Sequence, residues 1–300
     1  MRIQKIINYN NRPFFLLDLK LIIIVIILIS SCRKEIKVKL PEYTQKLVVE
    51  ASIETGQTAQ VLLSFTAPYF GNADLSNPSQ FFVKNAFVTL SDGSIIDTLK
   101  ELVIANFPVY VGTKVFGQVG KNYYLTMLVN NKTYTATTFI NEPITLDSLF
   151  FKGEKDSLGF CWAHLSEPAG IGNCYRWFAK RITKDALFAA PFASAFDDKF
   201  IDGKSFDLGY ERPVQSNEQQ SSEPDLLRGQ YRVGDTIIVK FCTIGYNEYT
   251  FWRSYYQNKT SNGNPFSAPS NLQSTIVGGD VIGAFVGYSP SFDTLIVKKK

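Results

Sequence analysis

Alternation of apolar and polar residues predicts that most of this chain forms short β-strands. Leu47 to Ile53 alternates with period two, which is typical of a strand with one buried face. Asp92-Gly93 separates two later runs and predicts a hairpin, because Asp-Gly tolerates the positive φ of a tight turn, and Asn130-Asn131-Lys132 joins the last two runs. No crossover helix interrupts the runs, so the pattern predicts an Ig-like antiparallel β-sandwich over residues 43–141. The candidate strands are 47–53, 60–65, 83–90, 95–99, 109–111, 123–129 and 134–139.

A second β-rich domain, residues 142–300, is predicted to follow the Asn141-Glu142-Pro143 break, because proline cannot donate to a central ladder. One short helix is expected, since Tyr249, Trp252 and Tyr255 recur at helical spacing after Asn247, a suitable N-cap. A long polar insertion is predicted near 183–233. The candidate strands are 146–152, 157–165, 174–182, 236–242, 281–288 and 294–298. The predicted fold class is therefore all-β, and residues 43–141 are expected to fold cooperatively when expressed alone.

The N-terminal segment has the pattern of a bacterial lipoprotein signal peptide, residues 1–31, followed by a tether, residues 32–42. Basic residues precede the apolar run Leu21 to Ile29, and Ser30-Ser31-Cys32 follows it. Cys32 would be acylated and become the new N-terminus after cleavage. A spanning helix needs roughly 17 to 25 apolar residues, and this run is shorter. The predicted partner of Cys32 is thus a lipid membrane.

Charge gives no indication of nucleic-acid binding once the signal peptide is subtracted. The chain has 31 Lys+Arg and 27 Asp+Glu, and residues 1–31 hold four of the bases and one of the acids, which leaves 27 and 26. The sequence pI of about 8.7 therefore reflects targeting more than function. We expect no nucleic-acid partner.

The residues needed for common enzyme chemistry are scarce. His164 is the only histidine, and it lies in a predicted strand among aromatic residues with no evident nucleophile. No Gly-rich phosphate loop follows a strand. Asp197 and Asp198 could bind Ca²⁺ or act as an acid and a base, but a solvated loop explains them better, because the EF-hand spacing is absent. We therefore expect no enzyme activity, no metal site and no cofactor.

A group of aromatic residues is the main candidate for ligand binding. Tyrosine and tryptophan can stack on sugars or anchor protein interfaces, although core packing is the simpler explanation. Alternation places Tyr175 and Trp177 on one face of a strand and Cys174, Arg176 and Phe178 on the other, so a one-sided sheet could bury only one set. The candidate residues are Trp162, Tyr175, Trp177, Tyr249, Trp252 and Tyr255.

Three cysteines remain beyond Cys32, and buried free thiols are the favoured interpretation for all of them. Cys161 and Cys174 lie on consecutive predicted strands joined by residues 166–172. In an antiparallel hairpin centred on Glu167 and Pro168 they would face each other, so any disulfide is expected between them. Cys242 would then stay free. The register leaves the choice between bridged and free thiols open.

Several segments together resemble the Bacteroidota lipoproteins grouped as domain of unknown function 4249. They are the LVVEASI strand (47–53), Asn85 to Gly93, Phe196 to Lys204, and the stretch from Asn264-Pro265-Phe266 through Gly283, Phe285, Gly287 and Tyr288. The resemblance implies an outer-membrane lipoprotein, often associated with TonB-dependent transport. Arg33 and Lys34 precede the single acid Glu35, whereas surface export in this phylum often follows acidic residues, so the periplasmic and external faces both stay open.

Two functions are consistent with these patterns. The first is a non-enzymatic binding or accessory module, lipid-anchored in the outer membrane, with a TonB-dependent receptor as partner. The alternative is a structural or adhesive cell-surface lipoprotein without a small-molecule ligand.

Overall fold

The computed structural model describes residues 44–67, 78–104, 107–155, 157–215, 229–261 and 271–298. Cys32, the apolar run before it and the tether up to residue 42 lie outside the described residues, as does the polar run 216–224. Across the described ranges, no helix is both long and apolar enough to cross a membrane. Residues Thr44–Lys300 cluster as one compact unit, which we call the body of the protein.

Eight strands in the N-terminal half form a sandwich of two sheets, as the alternating pattern predicts. Buried side chains from both sheets, such as Ile53, Leu63, Leu90 and Leu125, interdigitate to form its core. Asn130 and Asn131 both have positive φ in the hairpin between the last two strands, as expected for that turn. The strands are β1 Leu47–Glu54, β2 Thr58–Phe65, β3 Phe87–Ser91, β4 Ile96–Thr98, β5 Lys100–Ile104, β6 Phe107–Phe116, β7 Asn122–Val129 and β8 Lys132–Phe139, with a short 3₁₀ helix at Pro78–Phe81.

The C-terminal half adds eight strands and one helix, so the all-β prediction is confirmed. Its core lies between a sheet centred on β10 and the C-terminal part of the long sheet. The elements are β9 Ser148–Gly153, β10 Leu158–Ser166, β11 Cys174–Arg181, β12 Ala195–Asp197, β13 Ser205–Tyr210, β14 Tyr231–Arg232, β15 Thr236–Ile244, α1 Tyr246–Ser261 and β16 Val281–Ile296.

The last strand, β16, joins the two halves into one eight-stranded sheet of order β12-β11-β15-β16-β1-β2-β6-β5. Its first half, Val281 to Tyr288, runs parallel to β1, and its second half runs antiparallel to β15. The sequence pattern predicted two separate strands, both in the second domain, and an entirely antiparallel first sandwich. Both expectations are wrong because Val281 and Phe285 complete the N-terminal core. A single strand, β16, therefore pairs with strands from both sides of the predicted boundary at residues 141–142.

Two glycines allow β16 to lie this close to its neighbours. Gly283 has a φ of 143°, and a Cβ atom there would lie 1.9 Å from the carbonyl oxygen of Val49. A Cβ atom on Gly287 would lie 2.6 Å from the carbonyl oxygen of Phe139 on β8. Any side chain at either position would force the strands apart. The glycines of the closing motif thus have a packing role.

The connection from β10 to β11 crosses between two sheets and does not form a hairpin. Cys161 on β10 pairs with Phe151 and Tyr210, whereas Cys174 on β11 pairs with Asp197 and Ile244. The predicted pairing of Cys161 with Cys174 is therefore wrong, because the two strands belong to different sheets. Cys161, Cys174 and Cys242 are all free and buried, as the favoured interpretation expected.

The β11 strand is covered on both of its faces, which the one-sided expectation did not allow. Tyr175 and Trp177 point into the C-terminal core, and Cys174 and Arg176 are also buried, on the face covered by α1. The segment predicted as a polar insertion also contributes structure, since β12, β13 and β14 lie within residues 183–233. Burial of apolar residues there, including Tyr231, explains why polar composition alone was misleading.

Candidate functional site

The start of helix α1 forms a buried polar junction between the two halves. The helix begins at Tyr246, so Gly245 occupies the N-cap position that the sequence pattern assigned to Asn247. Glu248 folds back towards Gly245, where a Cβ atom would lie 2.2 Å from its carboxylate oxygen. A Gly-x-x-Glu spacing of this kind resembles a capping box, and it was the available sequence signal for this junction.

Glu248 is connected to the N-terminal sandwich through one threonine. The Thr138 hydroxyl on β8 donates to Glu248 Oε1 at 2.7 Å, and it accepts the backbone N–H of Gly287 on β16 at 2.7 Å. All three groups are buried, and burial raises the pKa of the Glu248 carboxyl, while the hydrogen bond from Thr138 opposes that shift. The chain of hydrogen bonds fixes the helix start relative to both sheets.

A cavity of about 440 Å³ opens beside this junction. Strand β8 supplies one wall, the first turn of α1 supplies another, and residues 273–277 supply the third. The lining side chains are hydroxyl, amide and small apolar groups, and none carries a charge or a thiol: Thr135, Ala136, Thr137, Asn247, Thr250, Gln273, Ser274, Thr275 and Val277. Such a surface can donate and accept hydrogen bonds, and its described lining includes no general acid, general base or thiol nucleophile that would act near neutral pH.

A buried arginine lies on the other flank of α1. The Arg176 guanidinium stacks on the Trp252 ring, with its central carbon 3.3 Å from the ring centroid, and it donates to the hydroxyl of Tyr288. Phe178 lies 4.7 Å from the same carbon. A desolvated cation–π contact of this type contributes about 2 kcal/mol. The stack therefore holds the helix against the sheet.

Two donors in this stack have no acceptor among the described residues. They are Nε of Arg176 and Nε1 of Trp252, and both atoms are buried. Arg176 also makes no ion pair within the described part of the chain. Buried donors without acceptors are costly, so this position favours any acceptor group that can reach it.

The six aromatic residues predicted as a ligand site do not form one site. Tyr175 and Trp177 are fully buried in the C-terminal core, where Tyr175 stacks on Phe241. Tyr249 belongs to α1 and is buried between the helix and the long sheet. Trp252 and Tyr255 contact each other, with ring centroids 5.8 Å apart, but Trp252 is half-buried beneath Arg176 and Tyr255 is 38% exposed. Core packing therefore accounts for Tyr175, Trp177 and Tyr249.

Trp162 lies away from the helix, on the outer face of the β10 sheet. The Lys152 ammonium sits 3.5 Å from the centroid of its ring, and Gly209 on β13 lies opposite. A Cβ atom at Gly209 would meet the indole at 2.5 Å, so the glycine makes room for the ring. Trp162 thus packs on its own sheet and is not adjacent to Trp252 and Tyr255.

One cluster of carboxylates has the spacing of a metal site. Oxygens of Glu167, Asp198 and Asp202 lie within 4.8 Å of one another, and Glu167 and Asp198 are buried. Backbone N–H groups already bond them: Asp198 accepts from Gly172 and Asn173, and Asp202 from Gly170. The interpretation of Asp198 as part of a solvated loop is wrong, since it ties the β10–β11 connection to the segment after β12. These hydrogen bonds hold the two loops together, and that role accounts for the cluster of carboxylates.

His164 lies at a half-exposed position on β10. Its Nδ1 atom is 2.9 Å from Oδ1 of Asp207 on the neighbouring strand β13, and Lys152 approaches the same carboxylate at 3.8 Å. The pair lies on the outer face of the sheet and is partly open to solvent. Exposed ion pairs of this kind contribute little to stability.

Comparison with known proteins gives a family but no activity. A family model described as "Domain of unknown function (DUF4249)" matches residues 33–292. No curated protein matches the chain. Among solved structures, a two fibronectin type-III domain segment from chicken tenascin is similar at 11% identity and a TM-score of 0.21, covering 67% of this chain and 91% of that chain. Since the family model spans most of the sequence, this chain belongs to the DUF4249 family.

Proposed function

We propose that this protein is a non-enzymatic binding or accessory module that is lipid-anchored in the outer membrane. The observation that carries the binding role is the uncharged cavity between β8, α1 and residues 273–277. Its walls come from both halves of the body and are joined by the buried Thr138–Glu248 hydrogen bond. A preformed polar concavity is suited to holding a ligand without reacting with it.

The membrane anchor in this proposal rests on the sequence Ser30-Ser31-Cys32 after the apolar run. Two or more acyl chains on Cys32 would give stable anchoring, because each buried methylene contributes about 0.8 kcal/mol. The family resemblance supports an outer-membrane address and a TonB-dependent receptor as partner.

The anchor is tested by metabolic labelling with a fatty acid and by fractionation of membranes. Wild type should incorporate the label and float with membranes. Cys32→Ser should lose the label and be released or accumulate as an uncleaved precursor. Absence of label in wild type would refute the anchor.

The binding role is tested by cross-linking in intact cells followed by purification from membranes. A barrel receptor should co-purify with wild type, and Thr137→Tyr, which fills the cavity, should weaken that complex. Thr133→Tyr, on the same face of β8 but outside the cavity, serves as the matched control. A protein that purifies alone under all conditions would favour the structural or adhesive alternative.

A further inference from the structure

The β5–β6 hairpin exposes four large apolar side chains in a short stretch of chain. Leu102, Val103, Ile104 and Phe107 are 48%, 75%, 43% and 40% exposed, respectively. Alternation along the chain places Leu102, Ile104 and Phe107 on one face of the hairpin end and Val103 on the other, so apolar side chains are exposed on both faces of this end. Single exposed apolar residues are ordinary, whereas a group at one end of a hairpin is typical of an interaction surface. We call these four residues the apolar tip.

Three residues of the apolar tip lie on β5, the last strand of the long sheet, and Phe107 begins the neighbouring strand β6. Among the described strands, β5 follows β6 in the sheet order and has no second neighbour, and four of its five residues are exposed. Natural proteins normally protect such edges with charges, proline or a covering segment. Val103 and Ile104 instead present apolar side chains, which indicates that this edge meets an apolar partner.

Strand register places the apolar tip at the end of the body where the tether emerges. Leu47, at the start of β1, pairs with Phe65 at the end of β2. Three residues earlier on β2, Leu62 pairs with Val109, so the continuation beyond Phe65 meets the start of β6. Ile104 pairs with Phe107 at that same start. Only β2 and β6 separate β1 from β5, and adjacent strands lie about 4.8 Å apart.

The tether is short enough to keep this end near the membrane. Residues 32–43 separate the lipidated cysteine from the first described residue, Thr44, and twelve residues span at most about 43 Å when fully extended. Because Leu47 at the start of β1 lies at the end that carries the apolar tip, an acyl group on Cys32 would tether the body to the bilayer through that end.

Basic groups are present at this end as well. Lys46 is exposed directly before β1, and Lys84 is exposed next to Val83, whose N–H bonds the carbonyl of Leu63 on β2. Asp280, exposed at the start of β16, is the opposing charge, whereas Glu101 on β5 bonds the Asn85 N–H and the Tyr110 hydroxyl. Lysines beside an apolar group suit a surface of lipid headgroups.

We propose that the apolar tip is a membrane-contact site, at which Leu102, Val103, Ile104 and Phe107 insert into the interface of the bilayer that holds Cys32. This inference rests on the proposed lipid anchor. Contact at the tip would hold the body in one orientation, with the first sandwich towards the lipid. A merely flexible tether would leave the body free to tumble.

The test uses single engineered cysteines in the full, lipidated chain. The native thiols Cys161, Cys174 and Cys242 are buried, and burial raises the pKa of each to about 12, so they do not compete for the label. Val103→Cys reports on the tip. Phe116→Cys is the matched control, because it is exposed near the opposite end of strand β6.

Both variants are labelled with an environment-sensitive fluorophore and reconstituted into phospholipid vesicles that contain a quencher attached to the acyl chain. We expect at least twofold stronger quenching at position 103 than at position 116, with a blue-shifted emission only at 103. Equal, weak quenching at both positions in protein that floats with the vesicles would overturn the membrane contact and leave the anchor intact.

Two further outcomes separate the inference from the proposed function. If the labelled protein does not float with vesicles, the lipid anchor itself fails. If position 103 cross-links to position 103 of a second copy without lipid quenching, the edge of β5 pairs with another molecule, and the membrane contact is refuted.

Discussion

Replacement of Thr138 by valine is the most direct probe of how the two halves are joined. The change keeps the shape of the side chain and removes the hydroxyl that links Gly287 on β16 to Glu248 on α1. It therefore leaves one buried N–H without an acceptor and one buried carboxylate without its donor. Each unsatisfied buried group costs about 1–3 kcal/mol, so we expect a loss of about 2–5 kcal/mol in the free energy of unfolding.

Urea unfolding of wild type and Thr138→Val, followed by circular dichroism, measures this loss. Thr133→Val, at an exposed position on the same strand, should change the free energy by no more than about 0.5 kcal/mol. A double-mutant cycle with Glu248→Gln isolates the coupling between the two side chains. A loss of less than about 0.5 kcal/mol for Thr138→Val would refute the stabilising role of the hydrogen bonds that join Gly287, Thr138 and Glu248.

Four further expectations follow from the same contacts. Because burial raises the pKa of Glu248 in the folded state, wild type should gain stability relative to Glu248→Gln as the pH falls through that raised pKa towards the ordinary value of 4.5, and the gain should be complete below 4.5. A constant difference in unfolding free energy from pH 7 to pH 4 would contradict this. Burial alone would raise the pKa of Asp97, but the N–H groups of Lys114, Val115 and Thr113 lower it. Asp97→Asn should therefore reduce the free energy of unfolding at pH 7, and this difference should disappear as the pH falls below about 4, as measured by urea unfolding at both pH values. Residues 43–141 expressed alone lack Val281 and Phe285, so, contrary to the expectation from sequence, we now expect no cooperative unfolding transition, and a sharp transition would contradict this. The folded protein should resist alkylation at pH 8, and denaturation should expose three thiols beyond Cys32, counted by mass spectrometry.

The sequence alone was sufficient for the local elements, because each depends on a short pattern. The period-two runs at Leu47 to Ile53 and Tyr123 to Val129 became strands, since alternation allows one face to be buried against any apolar partner. The tight turns at Gly93 and Asn130-Asn131 followed from the positive φ that those residues accept. The helix was also predictable, although its N-cap is Gly245, two residues before the Asn247 that the pattern indicated.

The local pattern also predicted correctly that Cys161, Cys174 and Cys242 are buried and free, and the reason is physical. A thiol in a strand of apolar neighbours is buried like any small hydrophobic side chain. Whether Cys161 faces Cys174, however, depends on which sheet each strand joins, and two consecutive strands can pair or can cross between sheets with the same local sequence.

Only the tertiary structure decided which distant segments meet. The parallel pairing of β1 with β16 brings together residues more than 230 positions apart, and no local period encodes it. The same holds for the Thr138–Glu248 bond and for the cavity beside it, whose walls come from three separate segments. The aromatic residues gave a similar signal in sequence whether they ended in the core, like Trp177, or near the surface, like Tyr255. Burial is a property of the assembled sheets, so the sequence determined the elements, and packing determined the site.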